Sequence, residues 1–308
     1  MKSIFILLII LSLGFMGCSK TSENQDLSTE FPEELVHFKA YDGNPVFAGT
    51  GDSTTWDEQI RERGFIMKED SVYYMWYTGY TKRTGKKMKY LGLATSTDGL
   101  KWTRFAKNPI HTTLWVEDMF VLKSEGTYYM FAESTGDSTH LLISSDKINW
   151  ADQGALDIRL KDGNPISAGA YGTPTVVKKG NVWSLFYERE DAAIWLAQSE
   201  DLKVWTNVQD EPVLKAGPES YDQFAVAMNQ IIERNGLYYG YYHASAYKDW
   251  REWTCNVAVS KDLIHWTKYK NNPIIENNAS SNLVVEDGDS LRMYSMHPDV
   301  RVYFPVTR

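Results

Sequence analysis

Read along the chain, apolar and polar positions alternate over short runs broken by turn residues, the period-two pattern of half-buried strands. Phe65–Lys68 leads through a turn to Val72–Thr78, and Phe120–Lys123 leads through Glu125-Gly126 to Tyr128–Glu133. Thr175–Lys178 leads through Gly180 to Val182–Glu188, and Gln230–Glu233 leads through Asn235-Gly236 to Tyr238–His243. Glycine in such turns supplies the positive φ that tight hairpins need. A third strand follows each hairpin, at Tyr90–Ala94, His140–Ile143, Ile194–Ala197 and Asn256–Val259. Each then meets the same turn: Ser96 to Trp102, Ser144 to Trp150, Ser199 to Trp205 and Ser260 to Trp266, always with Asp two residues after the Ser. Short polar side chains there bond nearby backbone, and the Trp opens a fourth strand. The repeating unit is a four-stranded meander of about 50 residues, the size of one propeller blade.

A fifth unit has only three strands, Asn282–Val285, Leu291–Met296 and Val300–Phe304, before the chain ends. Its fourth strand is found at the other end. His37-Phe38 and Asn44-Pro45-Val46 align with His265-Trp266 and Asn272-Pro273-Ile274. The expected fold is all-β, a five-bladed β-propeller closed by the N-terminal strand, which leaves no open sheet edge. The propeller domain spans 36–308.

What precedes it reads as a targeting segment. Lys2 and the apolar run Ile4–Met16 end at Gly17-Cys18, too short for a membrane span and similar to a secretory signal. The Gly-Cys junction resembles the lipobox of bacterial lipoproteins. That resemblance implies cleavage after residue 17, lipidation of Cys18 and attachment to the bacterial cell envelope. Residues 18–35 read as a tether, since Ser19–Glu30 is polar. With Cys18 acylated, Cys255 has no disulfide partner. The net charge of −8, without a basic stripe, argues against a nucleic-acid partner. The six His show no metal-ligand spacing, and neither metal nor cofactor is expected, although a channel calcium is left open.

In a propeller the start of each first strand and the end of each second strand share one face. Thr78, Glu133, Glu188 and His243 end second strands, with His297 just past the fifth. Before first strands stand Asp57, Arg61-Glu62-Arg63, Trp115, Glu117-Asp118, Tyr171–Pro174 and Asp222. Crowded carboxylates shift one another's pKa, which suits the paired acids of glycoside hydrolysis. The plainer alternative is that Glu117, Glu133 and Glu188 form ion pairs with Arg61, Arg63 or Arg189 to hold blades together. Trp56 and Trp115 fall outside the repeat frame and are candidate sugar platforms.

The hairpins, Tyr73–Gly79 and the Ser96–Trp102 turn together resemble the five-bladed propeller glycosidases: arabinanases, β-xylosidases, invertases and neoagarooligosaccharide hydrolases. The resemblance covers nearly the whole mature chain. It implies carboxylates from the first three blades around a funnel. Glu117-Asp118 then falls at the blade-two Asp-Pro motif, with Met119 in place of Pro, and Asp57 is the blade-one match. Arg63 stands where some members carry an Asp, and Glu188 substitutes for a blade-three acid absent from Tyr171–Pro174. His243 is similar to the acid histidine of neoagarooligosaccharide hydrolases.

The resulting expectation is a lipid-anchored, exo-acting glycoside hydrolase of oligo- or polysaccharides. Glu188 is its general acid and Asp118 its base or pKa modulator, with Asp57 and His243 also in the catalytic set. Glu62, Glu117, Glu133, Arg61, Arg63, Arg189, Trp115 and Asp222 bind substrate. The alternatives are a non-catalytic glycan-binding lipoprotein and a phosphorylase, which would need Arg or Lys around a phosphate beside the acid.

Overall fold

The computed structural model describes residues 27–82 and 89–306. The expected leader, Cys18 and the first part of the tether lie outside the described residues. Five sheets follow one another along the chain, as the repeat predicts. Blade one comprises Phe65–Glu69, Val72–Tyr80, Tyr90–Ser96 and Thr103–Arg104, with Gln59–Ile60 beside the end of its second strand. Blade two comprises Glu117–Ser124, Thr127–Ser134, Ser138–Ser144 and Ala151–Ala155. Blade three is built on Gly172–Lys179, Val182–Arg189, Ala193–Ser199 and Val204–Asn207. Blade four is Ala225–Arg234, Leu237–Ser245, Thr254–Ser260 and Trp266–Lys268.

Blade five joins the two ends of the chain. Ser280–Asp287, Ser290–His297 and Arg301–Pro305 come from the C-terminus, and Phe38–Ala40 completes the sheet, with Phe38 opposite Pro305 and Ala40 opposite Tyr303. Beyond that strand Asn44 substitutes for a backbone partner. Its Nδ2 donates to the Val302 carbonyl and its Oδ1 accepts the Val302 N–H, both at 2.8 Å. Asn108 does the same for Leu93, and Asn272 for Val257. The recurrent Asn-Pro pairs therefore mark a side chain that pairs with the third strand.

The repeated turn is equally local in origin. Ser96 Oγ accepts the Gly99 N–H at 2.9 Å, while Asp98 Oδ1 accepts the N–H groups of Leu100 and Lys101 at 2.8 Å. The same bonds recur at Ser144-Asp146, Ser199-Asp201 and Ser260-Asp262. The Trp that follows packs edge-on against the second strand of the preceding blade. Trp102 meets Tyr294, Trp150 meets Trp76, Trp205 meets Phe131 and Trp266 meets Phe186, at centroid separations of 5.8–6.4 Å. One motif thus ends a strand and cements the interface between blades.

The tether is shorter than its sequence implies. Leu27, Leu35 and Val36 are buried against Tyr239, Tyr241 and Val257, and Glu33–Val36 forms a single helical turn. Apolar side chains at those three positions anchor this part of the segment on the domain. Among the described residues no helix is long and apolar enough to cross a membrane.

Two changes test the closure. Asn44→Ala should cost about 1–3 kcal/mol, because both Val302 groups lose their partner; an unchanged urea midpoint would count against it. Deletion through Phe47 should expose the blade-five edge and give aggregates. A soluble, cooperatively unfolding deletion variant would show that the ring does not need its N-terminal strand.

Candidate active site

A cavity of about 760 Å³ opens on the face where second strands end and first strands begin. The register explains the convergence. Glu117 faces Glu133, Gly172 faces Glu188, Ala227 faces His243 and Ser280 faces His297. Just inside, the first strand is kinked by a non-glycine residue in the left-handed region: Arg63 (φ 52), Asp118 (φ 47), Thr173 (φ 50) and Ser281 (φ 58). Such backbone costs about 1–3 kcal/mol and persists where the surroundings impose it. The same kink in four blades turns four different side chains toward the axis.

Nine carboxylates line the cavity: Glu62, Asp118, Glu133, Asp137, Glu188, Glu190, Asp191, Asp249 and Glu252. Arg63 lies beneath them, 2% exposed, and reaches across the ring. Its Nη1 donates to the Met228 carbonyl and its Nη2 to the Pro174 carbonyl, each at 2.9 Å, while its own carbonyl accepts the Met119 N–H at 2.9 Å. Burial pushes the guanidinium pKa down, and the charges of Asp118, Glu133, Glu188 and Asp191 push it back up.

Glu133 and Glu188 meet over Gly172. A Cβ on that glycine would collide with the Glu133 carboxylate and lie 3.1 Å from Glu188 Oε1. Burial, then the charges of Asp118, Glu117 and Glu188, lift Glu133 to about 10, so it is neutral at physiological pH. Burial likewise raises Glu188, against the Asp191 N–H that its Oε2 accepts at 2.6 Å. Asp191 is pushed up to about 7 by burial and by Glu188. Asp118 is raised well above the usual carboxylate range by burial and by Glu117. Its Oδ1 is screened from solvent and has no partner among the described residues.

Glu62 behaves oppositely. Burial opposes its ionisation, but the hydrogen bond from His297 (3.3 Å) and the charge of Arg61 (2.9 Å) hold it at about 2. His243 is held down at about 3 by burial and by Arg63, so its imidazole is neutral. Asn229 Oδ1 takes the Asn282 N–H at 3.3 Å, which leaves its amide nitrogen to donate to His243 Nδ1 at 2.9 Å. The ring proton is therefore on Nε2. A neutral imidazole donates a hydrogen bond from Nε2, whereas the acid role that its similarity to neoagarooligosaccharide hydrolases implies calls for a proton that this environment disfavours.

The expected residues divide. Arg61, Glu62, Asp118, Glu133, Glu188 and His243 line the cavity together, and Arg63 underlies it. The others stand behind or away from it. Glu117 is buried between Arg61 (2.9 Å) and Lys89, and accepts Trp115 Nε1 at 2.7 Å. Trp115 is occupied with that bond and with Lys89, 3.8 Å from its ring centroid, rather than with an open face. Asp57 is paired with Arg104 at 2.7 Å and Tyr77 at 3.0 Å, within blade one. Asp222 is buried against Lys268 at 2.5 Å, and Arg189 ties down the carbonyls of Ser167, Ala168 and Ala170. Trp56 stacks on Tyr77 and fills the space over Gly92, 2.5 Å from where a Cβ would stand. Of the ion pairs that the plainer alternative names, Glu117–Arg61 is present; Asp57, Asp222, Arg189, Trp115 and Trp56 are held out of the lining by partners of other kinds.

Sequence reading missed Asp137, Glu190 and Asp191 in the turns after second strands, and the segment Asp249–Trp253 in blade four. Topology places second-to-third turns on the same face, and Ser245–Thr254 is visibly longer than Ser134–Ser138. Glu117, Glu133 and Asp137 bring oxygens within 4.8 Å of one another. Glu117 already carries Arg61 and Lys89 there, a poor setting for a calcium ion.

No family model matches the chain. It is 25% identical over 228 residues to a 1,2-β-oligomannan phosphorylase from Thermoanaerobacter sp. (strain X514), covering 68% of this chain and 73% of the relative. A glycosyl hydrolase from Bacteroides ovatus superposes with TM-score 0.71 at 15% identity, covering 89% of this chain and 96% of that one. A structure from the GH130 family of mannoside phosphorylases, which contains glycoside hydrolases targeting β-1,2 mannosidic linkages in Candida mannan, gives 0.69 at 16% identity over 89% and 96%. The chain thus has the fold of the five-bladed propeller glycosidases that its repeats resemble.

The protonated state of Glu133 has a measurable consequence. Above its ordinary value of 4.5 an unfolded chain releases this proton, whereas the folded chain holds it to about 10. Its contribution to stability therefore falls as pH rises through that window. Glu133→Gln should gain stability relative to wild type between about pH 5 and about pH 9. A difference in urea midpoints that stays flat across this range would mean that Glu133 is ionised in the folded protein.

Proposed function

We propose that the chain is a glycoside hydrolase acting on β-1,2-linked mannosides, with Asp118 as proton donor and Glu188 as the carboxylate that activates water. An enzyme acting on glycans is the common ground of its relatives; the mannoside class follows what two of them act on. The observation that favours hydrolysis over phosphorolysis is the charge of the cavity. Nine carboxylates line it against two arginines and no lysine among the described residues. Arg61 is already bonded to Glu62 and Glu117, and Arg251 stands beside Asp249 at 3.5 Å. Among the described residues a phosphate dianion would meet more carboxylates than cations, while water carries no charge into that field.

The roles differ from those expected of the sequence. Asp118 is raised well above the usual carboxylate range by burial and Glu117 and has an unpartnered oxygen, the properties of a donor rather than a base. Glu188 accepts a backbone N–H that supports its ionised form and lies near Arg63. Asp118 would protonate the leaving oxygen while Glu188 takes a proton from the attacking water, so one proton enters the site as another leaves it. His243 Nε2–H would hold a sugar hydroxyl, with Arg61 beside Glu62 as a second donor.

Asp118→Asn should lower turnover of β-1,2-mannobiose by about 10²–10⁴-fold. An aryl mannoside, whose leaving group departs without protonation, should lose much less. Glu188→Gln should fall on both substrates and regain activity with azide as an external nucleophile. Equal losses on both substrates for Asp118→Asn would remove its donor role. Wild-type turnover should yield free mannose at a rate independent of inorganic phosphate. Obligatory phosphate, with mannose 1-phosphate as product, would establish the phosphorylase instead.

Envelope attachment rests on the lipobox-like Gly17-Cys18. Cys18→Ser should move the full-length protein from the membrane to the soluble fraction with activity intact. Continued dependence on detergent would point to an uncleaved apolar leader.

A further inference from the structure

We propose that Trp250 forms a distal subsite that stacks on a neutral pyranose beyond the bond being cleaved, so that the enzyme acts better on longer oligosaccharides than on disaccharides. The inference deepens the glycoside-hydrolase reading and rests on it. Trp250 is 51% exposed, more than any other large apolar side chain among the described residues, and it lines the rim of the acidic cavity. A single exposed aromatic needs no explanation by itself. Here it stands on strained backbone: Trp250 and Glu252 both have φ 54, a rare conformation for residues with bulky side chains.

The segment that carries it is anchored on all sides. Trp250 N–H donates to the Tyr247 carbonyl at 3.1 Å, and Ser245 Oγ donates to the Arg251 carbonyl at 2.7 Å. The Arg251 guanidinium covers the Tyr247 ring at 4.2 Å. Trp253 N–H donates to Asn278 Oδ1 at 3.0 Å, and its ring packs edge-on against His243 with centroids 4.8 Å apart. Thus the loop is fixed at both ends to the channel floor, yet the Trp250 indole has no ring or cation partner among the described residues. The neighbours hold the backbone in an unfavourable conformation while leaving the ring face free, which is the arrangement of a preorganised platform rather than of a packing residue.

The ligand class follows from the surroundings. An indole offers a flat apolar face, matching the C–H face of a pyranose. Glu190, Asp191, Asp249 and Glu252 share the cavity, so a uronic acid or sulfated sugar would be repelled. The reacting sugar must lie against Asp118 and Glu188 at the channel. A ring stacked on Trp250, out at the rim, belongs to a different residue of the same glycan.

The test is calorimetric titration of the full chain carrying Glu188→Gln, which spares the ligand, with β-1,2-mannobiose and β-1,2-mannotetraose. Adding Trp250→Ala should weaken tetraose binding by roughly 10-fold more than biose binding, and Trp250→Phe, which keeps a flat ring, should recover most of the difference. Equal losses for the two lengths, or none, with wild-type loop binding both sugars, would overturn the distal subsite alone. If the protein with its native Trp250 bound neither sugar, the mannoside reading and the subsite would fall together.

Discussion

The site depends on one buried cation. Four carboxyl groups around the channel mouth, Asp118, Glu133, Glu188 and Asp191, are largely withdrawn from water, and each would be expensive to ionise there. Arg63 is the charge that they share. It offers its planar fork to two carbonyls on blades three and four, so its hydrogen bonds are spent on architecture while its field falls on the acids. A lysine would supply one point charge but could not span both carbonyls in fixed geometry. The result is a set of acids whose protonated forms are all favoured, Asp191 at about 7 and Glu133 at about 10, so that a carboxyl can keep a proton to donate.

The propeller makes that concentration of charge attainable. The blades are stabilised by devices that act away from the channel: the Ser–Asp turn and the Trp wedged against the preceding blade in blades one to four, and the Asn that pairs with the third strand in blades one, four and five. The ring is closed by Phe38–Ala40 at its outer edge. Because packing on the outside holds the blades in place, the inner strand ends are free to carry strained backbone and like charges. Stability and function are thereby assigned to opposite ends of the same strands.

The fold was legible because its determinants are local and repeated. Strand alternation, the Ser–x–Asp turn and the Trp recur at matching positions, and even the closing strand is marked by its own Asn44-Pro45. The site was legible only where a residue's place in the blade decides where its side chain points. Glu133, Glu188 and His243 end second strands, and Asp118 begins a first strand; all four reach the cavity. Asp57 and Asp222 precede first strands as well, but each has a basic residue distant in sequence beside it, Arg104 and Lys268, and is held within the wall. No spacing rule reveals those partners, since they depend on how neighbouring strands pack. Asp191 and Trp250 were hidden for another reason: they lie in second-to-third turns, where the repeat has no consensus to depart from. Crowding indicated that some carboxylates would shift, but not which, because burial decides it. Asp118 reads as a base or pKa modulator, and its burial beside Glu117, which raises it, is not visible in the sequence.

The repeat also shows how one backbone yields different chemistry. The left-handed position is occupied by Arg63, Asp118, Thr173 and Ser281 in four blades, and the residue before it is Glu62, Glu117, Gly172 and Ser280. Had all blades kept an acid there, the channel would hold a ring of mutually repelling charges with no room for a ligand. Instead blade one contributes the compensating cation and blade two the proton-bearing carboxyl. Blade three contributes a glycine whose missing side chain lets Glu133 and Glu188 approach each other. Blade five places small hydroxyls, Ser280 and Ser281, at these two positions, with His297 opposite Ser280. At this position the asymmetry of the four kinked blades lies in side chains; the kink that aims them is shared, so changing one residue per blade alters the chemistry there without disturbing the ring.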